Sequence, residues 1–230
     1  MDRDPGLFAT MYTARALRRF KPDPVPEDVV FQLFDAAIRA PSGQNSQDWR
    51  FLVVTDKDTR AKLGEWAGQA WQGYASRVAG NPSALDSLPR TVRLSMKSVG
   101  HLAAHVAETP LLVLVCGLSG RHSTPGGSTF PAVQNLLLAA RAFGLGGSVF
   151  NLPLGHPDEL RSLLGIPENN QVYCLLAIGY PTEKHGPLRR KPVKDVVYMG
   201  KWGERWPFAE QQPENGWHDR WVPAPETTGP

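Results

Sequence analysis

Three stretches of this 230-residue chain carry groups that could do chemistry. The first is Arg15-Ala16-Leu17-Arg18-Arg19-Phe20, which runs into Lys21-Pro22-Asp23-Pro24-Val25-Pro26. The second is Ala40-Pro41-Ser42-Gly43-Gln44-Asn45-Ser46-Gln47-Asp48-Trp49-Arg50-Phe51, where small, hydroxyl and amide residues precede an apolar run. The third is Arg189-Arg190-Lys191-Pro192-Val193. Read alone, the basic residues are surface charges and Ser42-Gly43 is an ordinary turn. An Asn such as Asn45 offers an amide that both donates and accepts.

Other chemistries lack their signatures. No GxGxxG opens a helix after a first strand, and there is no GxxxxGK[ST] loop and no nucleophile elbow. Gly144-Leu145-Gly146-Gly147 is glycine-rich, but it closes a helix and reads as a C-cap and tight turn. His101 and His105 are four apart without an obvious third ligand, so no metal site is expected. Cys116 and Cys174 lie in apolar runs and read as buried, reduced thiols, which fits a reducing cytoplasm. A net charge of +3 with dispersed Arg and Lys gives no case for a nucleic-acid partner. No apolar run reaches the ~18 residues of a membrane span. The opening Met-Asp-Arg-Asp-Pro does not resemble a signal peptide.

The elements that must position these residues follow from periodicity and punctuation. Alternating prolines at 22, 24 and 26 favour an extended connector, and Pro26 suits the first position of a helix with Glu27 and Asp28 in its first turn. Val29, Val30, Leu33, Phe34, Ala37 and Ile38 recur at helical spacing until Pro41-Ser42-Gly43. Trp49 to Val54 reads as a strand buried on both faces, and Leu111 to Cys116 as a second strand. Residues 57–108 and 129–143 read as mostly helical. A strand is expected near Ser148–Asn151, a helix at 157–164 ending at Gly165, and a strand from Val172 to Ile178. Long helical segments between strands indicate a three-layer α and β sandwich. Residues 1–206 read as one domain, and 207–230 as a Pro-rich tail without its own core.

Taken together and in order, these segments resemble the FMN-dependent nitroreductase family. Arg15 to Phe20 is similar to its R-S-x-R-x-F, and Ala40 to Phe51 to its A-P-S-x-x-N-x-Q-P-W-x-F. Arg189 to Val193, with Val196-Val197 and Trp202, is similar to its closing R-x-P pattern. Pro131-Ala132-Val133-Gln134-Asn135-Leu136 running into Gly144-Leu145-Gly146 also matches. The resemblance spans roughly residues 11–203 and rests on four motifs in order and spacing.

The resemblance implies an α+β fold, with a central, mostly antiparallel sheet flanked by helices in an intertwined homodimer. It implies FMN as cofactor and NADH or NADPH as electron donor. Guanidinium forks match phosphate oxygens, which makes Arg15 and Arg190 the phosphate candidates, with Arg189 as helper. Pro41, Ser42, Gly43 and Asn45 would reach the flavin of the partner subunit. Arg18 would place a fixed charge near the N1–C2=O edge, and a backbone N–H of the loop around Asn151 and Leu152 would face N5. The implied reaction is ping-pong hydride transfer to an electron-poor acceptor such as a nitroaromatic or quinone, with no catalytic side chain, because the cofactor carries the chemistry. Trp66, Trp71, Tyr74 and Phe130 are candidate pocket walls, though ordinary core aromatics explain each one as well. Other readings are reductive dehalogenation, or a flavin-binding sensor or store without turnover. Ala16 stands where the family has Ser, and Asp48 where it has Pro.

Overall fold

Two strands, β2 (Leu111–Leu118) and β4 (Asn170–Gly179), form the centre of the fold, because their sequences are apolar on both faces. The structure, a computed structural model, describes residues 6–79, 86–118, 125–188 and 190–211. β1 (Trp49–Val53) pairs with the outer side of β2, and β3 (Gly146–Val149) with the outer side of β4. The order β1-β2-β4-β3 is antiparallel throughout, as expected.

Each face of this sheet buries one helical layer. On one side α2 (Glu27–Ala37) and α5 (Thr129–Ala142) send Leu33, Ala37, Ala132, Val133, Leu136 and Ala140 against Val113, Val115, Cys174 and Leu176. On the other, α3 (Lys57–Ala79), α4 (Arg90–His105) and α6 (Pro157–Leu164) bring Leu63, Trp66, Ala67, Leu102, Ala103 and Leu160 against Leu112, Leu114, Leu175 and Ala177. Each fully buried large side chain contributes about 1.5–3 kcal/mol. α6 shows how locally its sequence acts: Pro157 opens it, Asp158 and Glu159 sit in its first turn, and Gly165 closes it at φ 62°.

The chain divides into two compact units. Residues 16–184 form the sheet and its two layers. Residues 1–15 and 185–230 form the smaller unit. There, α1 (Leu7–Thr13) lies beside the returning chain, where the Leu188 N–H donates to the Tyr12 carbonyl at 3.1 Å. A bridge pairs Tyr198 with Arg205, and α7 (Pro207–Glu210) follows with Ala209 buried.

Several expectations need correction. β1 is an edge strand whose Arg50 and Val53 are exposed, so it is not buried on both faces. The third strand starts at Gly146, which makes Gly146-Gly147 part of the sheet while Gly144, at φ 74°, alone serves the turn. Gly146 is needed there because a Cβ would stand 3.0 Å from the Leu17 Cβ. α1 has no counterpart in the sequence reading. Residues 212–230 of the expected tail lie outside the described residues.

Arg60 of α3 ties this frame together. Its Nε donates to the Ala107 carbonyl at 3.0 Å, its Nη1 to Val54 at 2.9 Å and its Nη2 to Thr109. Burial lowers its pKa from the ordinary value, yet a guanidinium stays charged. Substituting Arg60→Met leaves three carbonyls without their donor. Urea denaturation is expected to show a loss of about 2–4 kcal/mol at an unchanged m-value.

Candidate functional site

The arm at residues 16–21 meets β3 at one bridge and then pairs with the segment that follows β4. Ala16 bridges to Gly147 and Phe20 to Pro181, the Lys21 N–H donates to Tyr180 at 2.8 Å, and the Thr182 N–H donates to the Arg19 carbonyl at 3.0 Å. Leu17 is buried and anchors the arm. Its neighbour Arg18 is half-buried, and its Nε is buried without a hydrogen-bond partner among the described residues. Desolvation lowers the Arg18 pKa, and the Glu183 carboxylate opposes that shift. Ser148 Oγ of β3 is likewise buried without a partner among the described residues. A buried polar atom without a partner calls for an explanation, and a polar ligand at the Arg18 arm is one.

At the β1 edge, the loop before Trp49 is strained. Gln44, Asn45 and Gln47 have φ of 54°, 54° and 50°. Local bonds hold it: the Gln47 N–H donates to Ser42 Oγ at 3.1 Å and the Gln47 amide to Asn45 Oδ1 at 3.2 Å. The Gly43 N–H donates at 3.1 Å to Ser128 Oγ, just before α5. Pro41, Gly43 and Asn45 are exposed and Ser42 half-buried, so the loop presents polar backbone outward.

The loop around Asn151 and Leu152 follows β3. Asn151 Oδ1 accepts the Leu175 N–H at 3.2 Å, and the Leu154 N–H donates to the Asn151 carbonyl at 3.0 Å. Asn151 thus clips the turn Leu152–Gly155 to β4, a job its sequence did not advertise. Trp66 stacks on His156 at 4.9 Å beside the same turn.

The sheet register places these pieces apart. Trp49 pairs with Gly117, which pairs with Gln171, whereas Gly146 pairs with Gly179 at the far end of β4. With about 3.3 Å per residue along a strand and about 4.8 Å between strands, the Ser42–Gln47 loop and the Arg18 arm lie roughly 25–30 Å apart. In the smaller unit, the Tyr12–Leu188 bond joins the segments that carry Arg15 and Arg190, both exposed. Arg189 lies outside the described residues.

Among the aromatic candidates, Trp66 is 3% exposed and belongs to the core. Trp71 packs against Gly100, where a Cβ would meet its ring at 2.7 Å. Tyr74 and Phe130 are open to solvent, and Phe130 meets Tyr173 edge-on at 6.0 Å. Cys116 and Cys174 are buried and free, and burial pushes the Cys174 thiol up to about 12. The described residues contain no cluster of three or more His, Cys, Asp or Glu fit for a metal, and no helix long and apolar enough to cross a membrane. Ser128 and Glu183 were not singled out in the sequence, since their partners are distant along the chain or sit in another element.

Residues 12–180 match the family model described as Nitroreductase family. The chain is 35% identical over 188 residues to the NADH dehydrogenase of Thermus thermophilus, covering 80% of this chain and 90% of that relative. It is 30% identical over 196 residues to the iodotyrosine deiodinase of Thermotoga neapolitana, covering 83% and 95%. Among solved structures, it resembles oxidized iodotyrosine deiodinase bound to FMN and 3-iodo-L-tyrosine, with TM-score 0.67, 23% identity and coverage of 86% and 100%. It also resembles a nitroreductase with bound FMN from Desulfitobacterium hafniense, with TM-score 0.63, 18% identity and coverage of 87% and 100%.

His101 of α4 packs against His105, with ring centroids 4.5 Å apart and planes tilted by 37°. Desolvation first, then Arg19 and His105, lower its pKa from 6.5, against the opposing pull of Glu183 and Glu108. A histidine with a depressed folded-state pKa resists protonation in the native state. Its contribution is therefore complete above about 6.5 and is lost as pH falls below that value. His101→Gln is expected to flatten the acid side of the stability profile between pH 7 and 5, measured by chemical denaturation.

Proposed function

Because the chain belongs to the nitroreductase family, we propose that it binds FMN and passes electrons from NADH or NADPH to an electron-poor acceptor, as a homodimer with shared sites. Family membership supports the flavin, and the observation that carries the shared site is the separation of the Ser42–Gln47 loop from the Arg18 arm across opposite corners of the sheet. A flavin ring is only about 10 Å long, well short of the roughly 25–30 Å that strand geometry gives this separation. A closed two-fold pair can bring one chain's loop to the other chain's arm.

Each group then has a task its chemistry suits. Arg15 and Arg190, with Arg189 beside them, offer guanidinium forks to the phosphate. Gly43 and its neighbours let backbone approach the partner's cofactor, and Asn45 adds an amide. Ala16 lies on the same arm and lacks the hydroxyl that the family's Ser would provide. The clipped turn at Asn151 and Leu152 aims backbone N–H groups at the ring's reactive edge. When bound, FMN supplies a ring that accepts a hydride from the nicotinamide and releases it to the acceptor. Arg18 holds a permanent positive charge where the reduced ring becomes negative, and no protein acid or base is required. Buried free thiols suit a reducing cytoplasm.

A second reading, reductive dehalogenation of an aromatic substrate, draws support from the 30% identity to a deiodinase. Purified protein is expected to be yellow, dimeric by light scattering, and to consume NAD(P)H with a nitroaromatic or quinone. Turnover with a halophenol alone selects the second reading. Yellow protein without turnover indicates a flavin sensor or store, and a colourless protein that takes up no FMN overturns all three.

Within the basic run, Arg190 stands two before Pro192, at the family's phosphate position. Arg190→Ala is expected to weaken FMN binding by about 1.5–3 kcal/mol, the worth of a charge-assisted hydrogen bond. Arg189→Ala should cost less. Quenching of FMN fluorescence on reconstitution measures both.

A further inference from the structure

We propose that Glu183 is a positioning residue that sets how much of the Arg18 charge the flavin senses, with Arg19 holding the carboxylate off Arg18. The inference rests on Arg18 lying at the flavin, as in the function proposed above.

Glu183 lies just after β4, where the chain is zipped to the arm by the Phe20–Pro181 bridge and the Thr182–Arg19 bond. This backbone pairing fixes the acid next to two consecutive arginines. Its Oε1 lies 3.3 Å from Arg19 Nε, an ion pair that is partly exposed. Arg18 gains attraction from the same carboxylate, while its own Nε has no hydrogen-bond partner among the described residues. His101, from α4, also feels the charges of Arg19, His105, Glu183 and Glu108. The carboxylate therefore sits beside two arginines, and the charge of Arg19, ion-paired to it, offsets part of its field at Arg18. A directly paired Arg18 would present a compensated charge to the ring. An Arg18 attracted by Glu183 but not bonded to it has its field only partly screened by that carboxylate.

Two substitutions break the same 3.3 Å pair with opposite electrostatic consequences. Glu183→Gln removes the negative charge and strengthens the field of Arg18, so reduced FMN is favoured. Arg19→Gln leaves the carboxylate uncompensated and free to neutralise Arg18, so oxidised FMN is favoured. Loss of a merely structural clip would move both variants the same way.

The test is a redox titration of bound FMN in the dimeric holoprotein. Glu183→Gln is expected to raise the midpoint potential and Arg19→Gln to lower it. Each should change the ratio of reduced to oxidised affinity about three- to tenfold, which is about 15–30 mV for a two-electron couple. Glu183→Asp, which keeps the charge, should stay close to wild type. Unchanged potentials, shifts of the same sign, or loss of FMN from Glu183→Gln overturn the inference. Arg18→Ala separates its failure from that of the underlying reading. A lowered potential in Arg18→Ala without divergence of the other two variants removes Glu183 alone, whereas an unchanged potential in Arg18→Ala removes the placement of Arg18 as well.

Discussion

The pairing of β2 with β4 is the constraint on which everything else depends. From Leu111 to Gly117 every residue of β2 is buried, and from Cys174 to Gly179 so is every residue of β4. Alternate side chains go to opposite layers: Val113 and Val115 meet α2 and α5, while Leu112 and Leu114 meet α3 and α4. A slip of one residue would send each set into the wrong layer, so both faces enforce one register. The single irregularity lies between Val115 and Cys116, where Tyr173 of β4 is skipped by the pairing. A bulge re-aims the side chain it carries. Here the Tyr173 ring comes over Gly117 and Gly126, where a Cβ would stand 3.0 and 3.2 Å from it.

With the centre fixed, the motif segments are left to the edges. β1 and β3 each have one unpaired side, and each borders a segment that carries polar groups. The arm covers part of the β3 edge through Ala16–Gly147. Such cover protects an edge from other chains and at the same time sets the arm's position along the sheet. Arg18 inherits that position from Leu17, whose burial against Gly146 leaves the arm little freedom to slide. Precision at a charged, half-buried residue is thus supplied by an apolar neighbour and a glycine, neither of which would touch a ligand.

What could be read in the sequence divides along the same line. α2, β2, β4 and α6 were legible because local pattern and burial agree in them: period 3.6 in α2, unbroken apolar runs in the two strands, Pro157 and Gly165 around α6. β1 misled because an apolar composition does not distinguish a central strand from an edge strand. α1 is not legible because Leu7–Thr13 is only 7 residues long, follows a glycine, and has neither acidic residues in its first turn nor basic ones in its last. The motif residues were found by their order along the chain, but what holds them in place was not. The Gly43–Ser128 bond spans 85 residues, and Arg19–Glu183 joins an arm to a turn, so no local pattern encodes either.

The loop before β1 shows why sequence order alone understates a site. Three non-glycine residues within Gln44–Gln47 adopt left-handed backbone, each at a cost of about 1–2 kcal/mol. Glycine would remove that cost, and only Asn45 is of a type that tolerates it readily. No buried side chain lies within Gln44–Gln47, so packing does not demand the conformation. The bonds from Gln47 to Ser42 and Asn45, and from Gly43 to Ser128, offset part of the strain and hold the shape. Asp48 makes it accessible. A proline there, as in the family pattern, would push Gln47 toward extended backbone, whereas Asp48 leaves Gln47 free to turn at φ 50°. The departure at Asp48 therefore acts first on backbone shape, by letting the chain bend sharply into Trp49 while the polar face of the loop stays outward. Strain held by hydrogen bonds on a solvent-facing loop is the kind of feature that accompanies a contact surface, and under the proposed function this loop would face the partner's cofactor.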